Sequence, residues 1–207
     1  MTPASIAELR AALAARPPFQ TRWATGDRIQ AAVCVPLHEA PGGLEVWSIK
    51  RPDGLRHHAR EIAFPGGKVA PEDRDLEATA RRETEEELGV AQARLLSLGR
   101  LGAVPTATSR FTLNPFVVLV EAGPEPRPEP GEVAALIRSP LADFFGGRVP
   151  YRTVDLGGGY ASPIFEFAEG SMYGATAHVL RELLEVWASL RGLGLPQPEP
   201  TDVIPWQ

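Results

Sequence analysis

The stretch Arg82-Glu83-Thr84-Glu85-Glu86-Glu87-Leu88-Gly89-Val90 decides how this chain of 207 residues is read. It sets four glutamates into the five positions from Glu83 to Glu87, in a helical pattern that stops at a glycine. Helices disfavour this, because their C-terminal carbonyls already carry partial negative charge. Carboxylates three or four residues apart, Glu83 with Glu86 and with Glu87, lie about 6 Å from one another on one face. At a near-surface dielectric each such pair repels by about 2–3 kcal/mol before screening. Such an arrangement calls for a divalent cation to neutralise it. Hard cations such as Mg²⁺ take oxygen ligands and keep positions open for substrate phosphates.

The preceding residues frame the run. Phe64-Pro65-Gly66-Gly67-Lys68 is followed by Pro71, Asp73 and Asp75. This order reads as a strand, a glycine loop, and a helix over Leu76 to Leu88. Asp73 or Asp75 supplies the N-cap. Leu76, Ala80, Thr84 and Leu88 recur every four residues and form a buried stripe. Gly89 takes the C-cap, where left-handed backbone is cheap only for glycine. One helical face then presents Glu83, Glu86 and Glu87 to Gly66 and Gly67, whose bare backbone can approach a metal or a phosphate. The plain alternative is a solvated acidic face, which is what most charge runs are. The glycine loop, arginine and cap standing in order around the charges favour the site. A P-loop is excluded, since Val69 rather than Ser or Thr follows Gly67-Lys68.

These residues resemble the box of the Nudix hydrolases, G-x5-E-x7-R-E-U-x-E-E-x-G-U, with U aliphatic. Gly67, Arg82, Glu83, Glu86, Glu87, Gly89 and Val90 fall on it. The interval from Gly67 to Arg82 is one residue longer than the pattern, Asp73 replaces the first glutamate, and Thr84 takes an aliphatic position. The resemblance implies an α/β fold, the α/β/α sandwich around a mixed β-sheet of that family. It also implies hydrolysis of a diphosphate bond between a nucleoside and another group, with Mg²⁺ or Mn²⁺. Carried over to this sequence, Glu83 and Glu87 are the main metal ligands and Glu86 a further one, direct or through water. Arg82 orients the carboxylates by charge-assisted hydrogen bonds. The general base stays open.

A second resemblance concerns the substrate. Residues 51–67 read R-P-D-G-L-R-H-H-A-R-E-I-A-F-P-G-G. They are similar to the segment before the box in coenzyme A diphosphatases of the same family, L-L-T-x-R, a spacer, R-x3-G-x3, then F-P-G-G. Pro115-Phe116, Glu132-Val133, Pro140-Leu141 and Gly174-Ala175-Thr176-Ala177 add to the likeness. It implies cleavage of coenzyme A to 3′,5′-ADP and 4′-phosphopantetheine, with Arg51, Arg56, Arg60, Phe64, Gly66 and Gly67 facing substrate. Trp47-Ser48-Ile49 depart from L-L-T, and Arg60 stands in place of a glycine, where it either blocks the pocket or adds a phosphate contact. The bland alternative for Arg51, Arg56, His57, His58 and Arg60 is a solvated basic loop. Beside a diphosphate site, arginines suited to bidentate phosphate binding favour the functional reading. His57 and His58 are not expected as metal ligands.

The remainder sets bounds. The length and a hydrophobic content of 43% suit one globular domain, expected over residues 23–192, with a helical extension over 1–22 and a proline-rich tail over 193–207. A net charge of −5 argues against a nucleic-acid scaffold. The sole cysteine, Cys34, lies in the apolar run Ala31–Val35 and reads as core. No stretch is apolar enough to span a membrane, and the start lacks a secretory core, so a cytoplasmic enzyme is expected. Strands are expected at Gln30–Val35, Leu44–Lys50, Arg94–Leu101, Arg110–Val120, Val149–Val154 and Ile164–Phe167, helices at residues 3–16 and Gly174–Leu190, and a mobile loop at Gly123–Gly131. The apolar stripe of the last helix is core or a dimer face, which leaves monomer and homodimer both open. Glu132 reads as a surface residue or an additional acid of the site, and Tyr173 as core or pocket lining. The leading function is a coenzyme A diphosphatase. The runner-up is a diphosphatase for ADP-ribose or a dinucleotide polyphosphate, and a different class is a nucleotide-sensing module without activity.

Overall fold

The apolar run around Cys34 lies inside β1 (Ile29–Ala40), the strand on which the molecule is organised. The computed structural model describes residues 5–16, 27–53, 61–107, 109–158 and 160–205. β1 pairs antiparallel with β2 (Gly43–Lys50) and parallel with β7 (Phe111–Val120). Over Ala31–Val33 it also pairs antiparallel with β4 (Gly66–Lys68). β3 (Ile62–Ala63) and β8 (Ala135–Pro140) add to β2, and β5 (Leu95–Arg100) and β6 (Val104–Pro105) add to β7. The sheet is therefore mixed, with eight strands among the described residues.

Side chains alternate across a strand, and here the alternation separates two cores. Ala32, Cys34, Trp47, Ile49, Val118 and Val120 face α2 (Leu76–Leu88). Val33, Val35, Leu37, Val46 and Val117 face α1 (Ile6–Ala15) and α4 (Gly174–Arg191). This is the α/β/α sandwich around a mixed sheet that the resemblance implies. Val179, Leu180, Leu183 and Leu184 of α4 are buried in the second core, so its stripe is core. Arg16 ties the end of α1 to α4 through Glu182 at 2.8 Å.

A second sheet, in the order β11-β10-β9-β12, packs beside α4. It comprises β9 (Tyr151–Asp155), β10 (Ala161–Phe167), β11 (Gly170–Tyr173) and β12 (Glu199–Pro200). β12 belongs to the proline-rich tail and pairs in parallel with β9. Cys34 is fully buried, and burial pushes its thiol up to about 12. Among the described residues no helix is long and apolar enough to cross a membrane.

Three expectations are corrected. Gly66–Lys68 is a strand rather than a loop, because β1 supplies the pairing that glycine's weak strand propensity does not. β8 and the short α3 (Leu141–Phe145) fall where no element is expected. The segment 123–131, read as mobile, is tied by hydrogen bonds to the end of α2 and to two arginines.

Candidate active site

α2 is delimited by local chemistry. Asp75 is its N-cap, accepting from the Ala78 N–H at 2.8 Å. Gly89 closes it with φ +64°. Ala80, Thr84 and Leu88 are fully buried against the sheet, and Leu76 packs at the edge of that core. Thr84 fits an apolar position because its hydroxyl donates to the Ala80 carbonyl at 2.7 Å, which satisfies it within the helix. The acidic face is thereby fixed in rotation, and Glu83 and Glu87 are turned to β4.

β4 meets them with bare backbone. The Gly66 N–H donates to Glu87 Oε2 at 2.9 Å. A Cβ on Gly67 would lie 2.4 Å from the Glu83 carboxylate. One on Gly66 would lie 2.3 Å from the Ala32 carbonyl oxygen. Glycine is required at position 66 by the close approach of β1, whereas at position 67 a Cβ would displace the Glu83 carboxylate.

Arg82 organises the acids. Its Nε and Nη2 donate to the two oxygens of Asp73 at 3.0 and 3.1 Å, and its Nη1 donates to Glu86 at 2.9 Å. Nη2 also stands 2.9 Å from Glu83 Oε1 and donates to the Lys68 carbonyl at 3.2 Å. Asp73 is held well below the usual carboxylate range, chiefly by the Arg82 hydrogen bonds. It also accepts from the Ala70 N–H and the Thr79 hydroxyl, both at 2.8 Å. Asp73 is therefore the anchor of Arg82, a role the sequence reading missed. The arginine itself was the available signal, since a half-buried guanidinium among glutamates needs a fixed partner.

The two acids facing β4 behave unlike surface glutamates. The Glu87 side chain is 3 % exposed. Burial pushes its carboxyl up to about 8; the Gly66 N–H and Arg51 oppose the rise, and Glu83 and Glu132 add to it. Glu83 is raised too, first by burial, with Arg82 opposing and Glu86 and Glu132 contributing. Glu132 thus lies within electrostatic reach of both acids while remaining exposed.

The other predicted site residues divide. Arg51 is brought in, its Nη1 3.8 Å from Glu87 Oε1. Glu86 is not gathered with the pair: its side chain is 52 % exposed and it rests on Arg82. Glu85 is exposed and accepts from Gln92. The Phe64 ring is buried in the core, so it faces protein rather than a ligand, while the neighbouring Pro65 carbonyl accepts from Cys34 N–H at 2.9 Å. Tyr173 is half-buried and its hydroxyl donates to Glu61 at 2.7 Å. Arg56, His57, His58 and Arg60 lie outside the described residues.

Among the described residues no three His, Cys, Asp or Glu side chains are drawn into one cation cage. What is assembled is a pair, Glu83 and Glu87, facing bare backbone. Its chemistry fits a hard divalent cation: the donors are carboxylate oxygens, burial raises both pKa values, and Glu83 adds to the rise at Glu87.

Comparison with known proteins identifies the family. A NUDIX domain profile matches residues 28–152. The uncharacterized Nudix hydrolase NudL of Yersinia pestis is 31% identical over 159 residues, which cover 75% of this chain and 78% of that protein. NudL of Photorhabdus laumondii is 28% identical over 172 residues, 82% of this chain and 90% of its own. A Nudix hydrolase structure from Alicyclobacillus acidocaldarius superposes with a TM-score of 0.53 at 20% identity, covering 84% of this chain and 100% of that one. A MutT/nudix family protein from Enterococcus faecalis gives 0.52 at 13% identity, covering 91% and 75%. At those identities the structures speak for the fold, while the profile spans more than half of the chain. The chain belongs to the Nudix family and is a Nudix hydrolase.

Proposed function

We propose that this hydrolase uses Mg²⁺ or Mn²⁺ to cleave the diphosphate bond of a nucleoside diphosphate conjugate, with coenzyme A or a derivative as the leading substrate. The observation that carries the reaction is the pair Glu83 and Glu87, both with raised pKa, set against the Gly66-Gly67 backbone. Nudix hydrolases generally work with a divalent metal. Glu83 and Glu87 would hold it, and Glu86 can join by leaving Arg82. Such a cation lowers the pKa of water and neutralises phosphate oxygens.

The chain's own groups do the rest. Asp73 holds Arg82, and Arg82 holds the Glu83 carboxylate in one orientation. The Gly66 N–H fixes one oxygen of Glu87. Arg51, its side chain partly exposed beside Glu87, meets an anionic phosphate as it arrives. A carboxylate of this group takes the proton of the attacking water.

Coenzyme A is supported by the similarity over residues 51–67 to coenzyme A diphosphatases. Of the two departures, one loses its weight. Trp47, Ser48 and Ile49 are all buried in β2, so the change from L-L-T is a change in packing. Arg60 alone still favours the second reading, a diphosphatase for ADP-ribose or a dinucleotide polyphosphate. The test is a product assay with Mg²⁺ and Mn²⁺ over a panel of these conjugates. Release of 3′,5′-ADP from coenzyme A at the highest kcat/KM is expected. Faster cleavage of another conjugate selects the second reading, and no turnover of any of them favours a sensor.

A further inference from the structure

The segment after β7 reads Pro124-Glu125-Pro126-Arg127-Pro128-Glu129-Pro130. Proline has no N–H, so this alternation leaves peptide donors only at Glu125, Arg127 and Glu129. Two of them go to one place. The Arg127 N–H donates to the Leu88 carbonyl at 2.8 Å and the Glu129 N–H to the Glu87 carbonyl at 2.9 Å. These belong to the last carbonyls of α2, which have no partner within their own helix. The Glu129 carbonyl then accepts from the N–H groups of Glu132 and Val133, at 3.0 and 2.8 Å. Beyond Val133, the Ala134 N–H donates to the Lys50 carbonyl at 2.8 Å, and the chain enters β8.

The segment is held at its entry as well. Arg94 donates to the carbonyls of Glu121 and Pro124, and Arg138 to the Glu125 carboxylate. At the helix end, a Cβ on Gly89 would lie 3.0 Å from the Arg127 carbonyl oxygen. The glycine that closes α2 is thus also what admits the strap.

We propose that residues 124–130 are the positioning element of Glu87. The N–H groups of Arg127 and Glu129 lock the last turn of α2, and with it the Glu87 carboxylate, against the Gly66 N–H. Helix ends fray, and Glu87 lies in the last turn, where fraying would swing its carboxylate off β4. Prolines at alternate positions fix φ and remove freedom from the unbound strap, so its two donors arrive preformed. The strap acts through backbone atoms only. The inference rests on Glu87 being a cation ligand, as proposed above.

The test is Mn²⁺ binding to the full chain without substrate, by titration calorimetry and electron paramagnetic resonance. Glu129→Pro deletes the donor to Glu87 and is expected to weaken Mn²⁺ binding about five- to tenfold, the scale of one lost net hydrogen bond. Glu129→Ala keeps the N–H and keeps wild-type affinity. Equal affinity of Glu129→Pro, folded by circular dichroism, and wild type overturns the strap's role while leaving the cation site standing. No Mn²⁺ binding by wild type overturns the reading of Glu87, and the strap's role with it. Hydrogen exchange on the unmutated chain decides independently of whether the variant folds. Residues 124–130 carry only three exchanging amides, and saturating Mn²⁺ is expected to slow those of Arg127 and Glu129 about tenfold or more. Unchanged exchange overturns the proposal.

Discussion

Arg82 contacts three carboxylates at once, and they are not equivalent. Asp73 takes two of its hydrogen bonds in a buried setting, while Glu83 and Glu86 take what remains. Asp73 is therefore the anchor, and Asp73→Asn is expected to cost about 2 kcal/mol of stability at neutral pH. The sign with pH follows from its depressed pKa. A carboxyl whose folded pKa lies below its unfolded value of about 3.9 stabilises the fold above that pH, and the contribution is lost as pH falls through the folded pKa. Urea unfolding of wild type and Asp73→Asn should show a gap that is full at pH 7 and narrows below about pH 4; a gap constant with pH refutes the assignment. For the acids facing β4 the effect is on rate. Glu87→Gln or Glu83→Gln is expected to lower kcat by two or more orders of magnitude with the circular dichroism spectrum retained, since a cation ligand acts mainly in the transition state. Wild-type turnover by Glu87→Gln would remove it from the site.

At the scale of elements, the β4–α2 contact separates folding from chemistry at adjacent glycines. A methyl on Gly66 meets the Ala32 backbone, which cannot yield, whereas a methyl on Gly67 meets the far end of the Glu83 side chain, which can. Gly66→Ala is expected to destabilise by about 3 kcal/mol or more. Gly67→Ala should keep the melting temperature within a few degrees and lose at least tenfold in kcat; the reverse pattern would mean the Glu83 contact is structural. The same elements show what sequence can and cannot carry. α2 was legible to its end residues because Asp75 and Gly89 are caps whose chemistry is local. Glu83 and Glu87 were legible because helical spacing puts them on one face. β4 was not, since its glycines become a strand only through β1, which is distant in sequence. Asp73 was read as a possible cap, because the one signal of its other role was the need of Arg82, nine residues on, for a fixed partner. The alternation of prolines over residues 124–130 was visible, but the carbonyls its N–H groups meet belong to another element.

Across the whole molecule, one sheet carries a packing face on each side, and the acid pair sits where α2 meets the sheet through β4. A cation bound there relieves the repulsion between Glu83 and Glu87 and binds only the folded chain, so Mn²⁺ should raise the melting temperature in proportion to the logarithm of its concentration. The double variant Glu83→Gln, Glu87→Gln should show no such rise, and a rise equal to that of wild type would place the cation elsewhere. The two-sided core has a further consequence through Cys34. The chain's single thiol is sealed between β1 and α2, with its proton held at a pKa of about 12, so alkylating reagents and oxidants find no thiolate at neutral pH. A cysteine introduced on the surface is then the only reactive thiol in the native protein. A spin label or fluorophore can be attached at one chosen point of the strap without first removing the native residue.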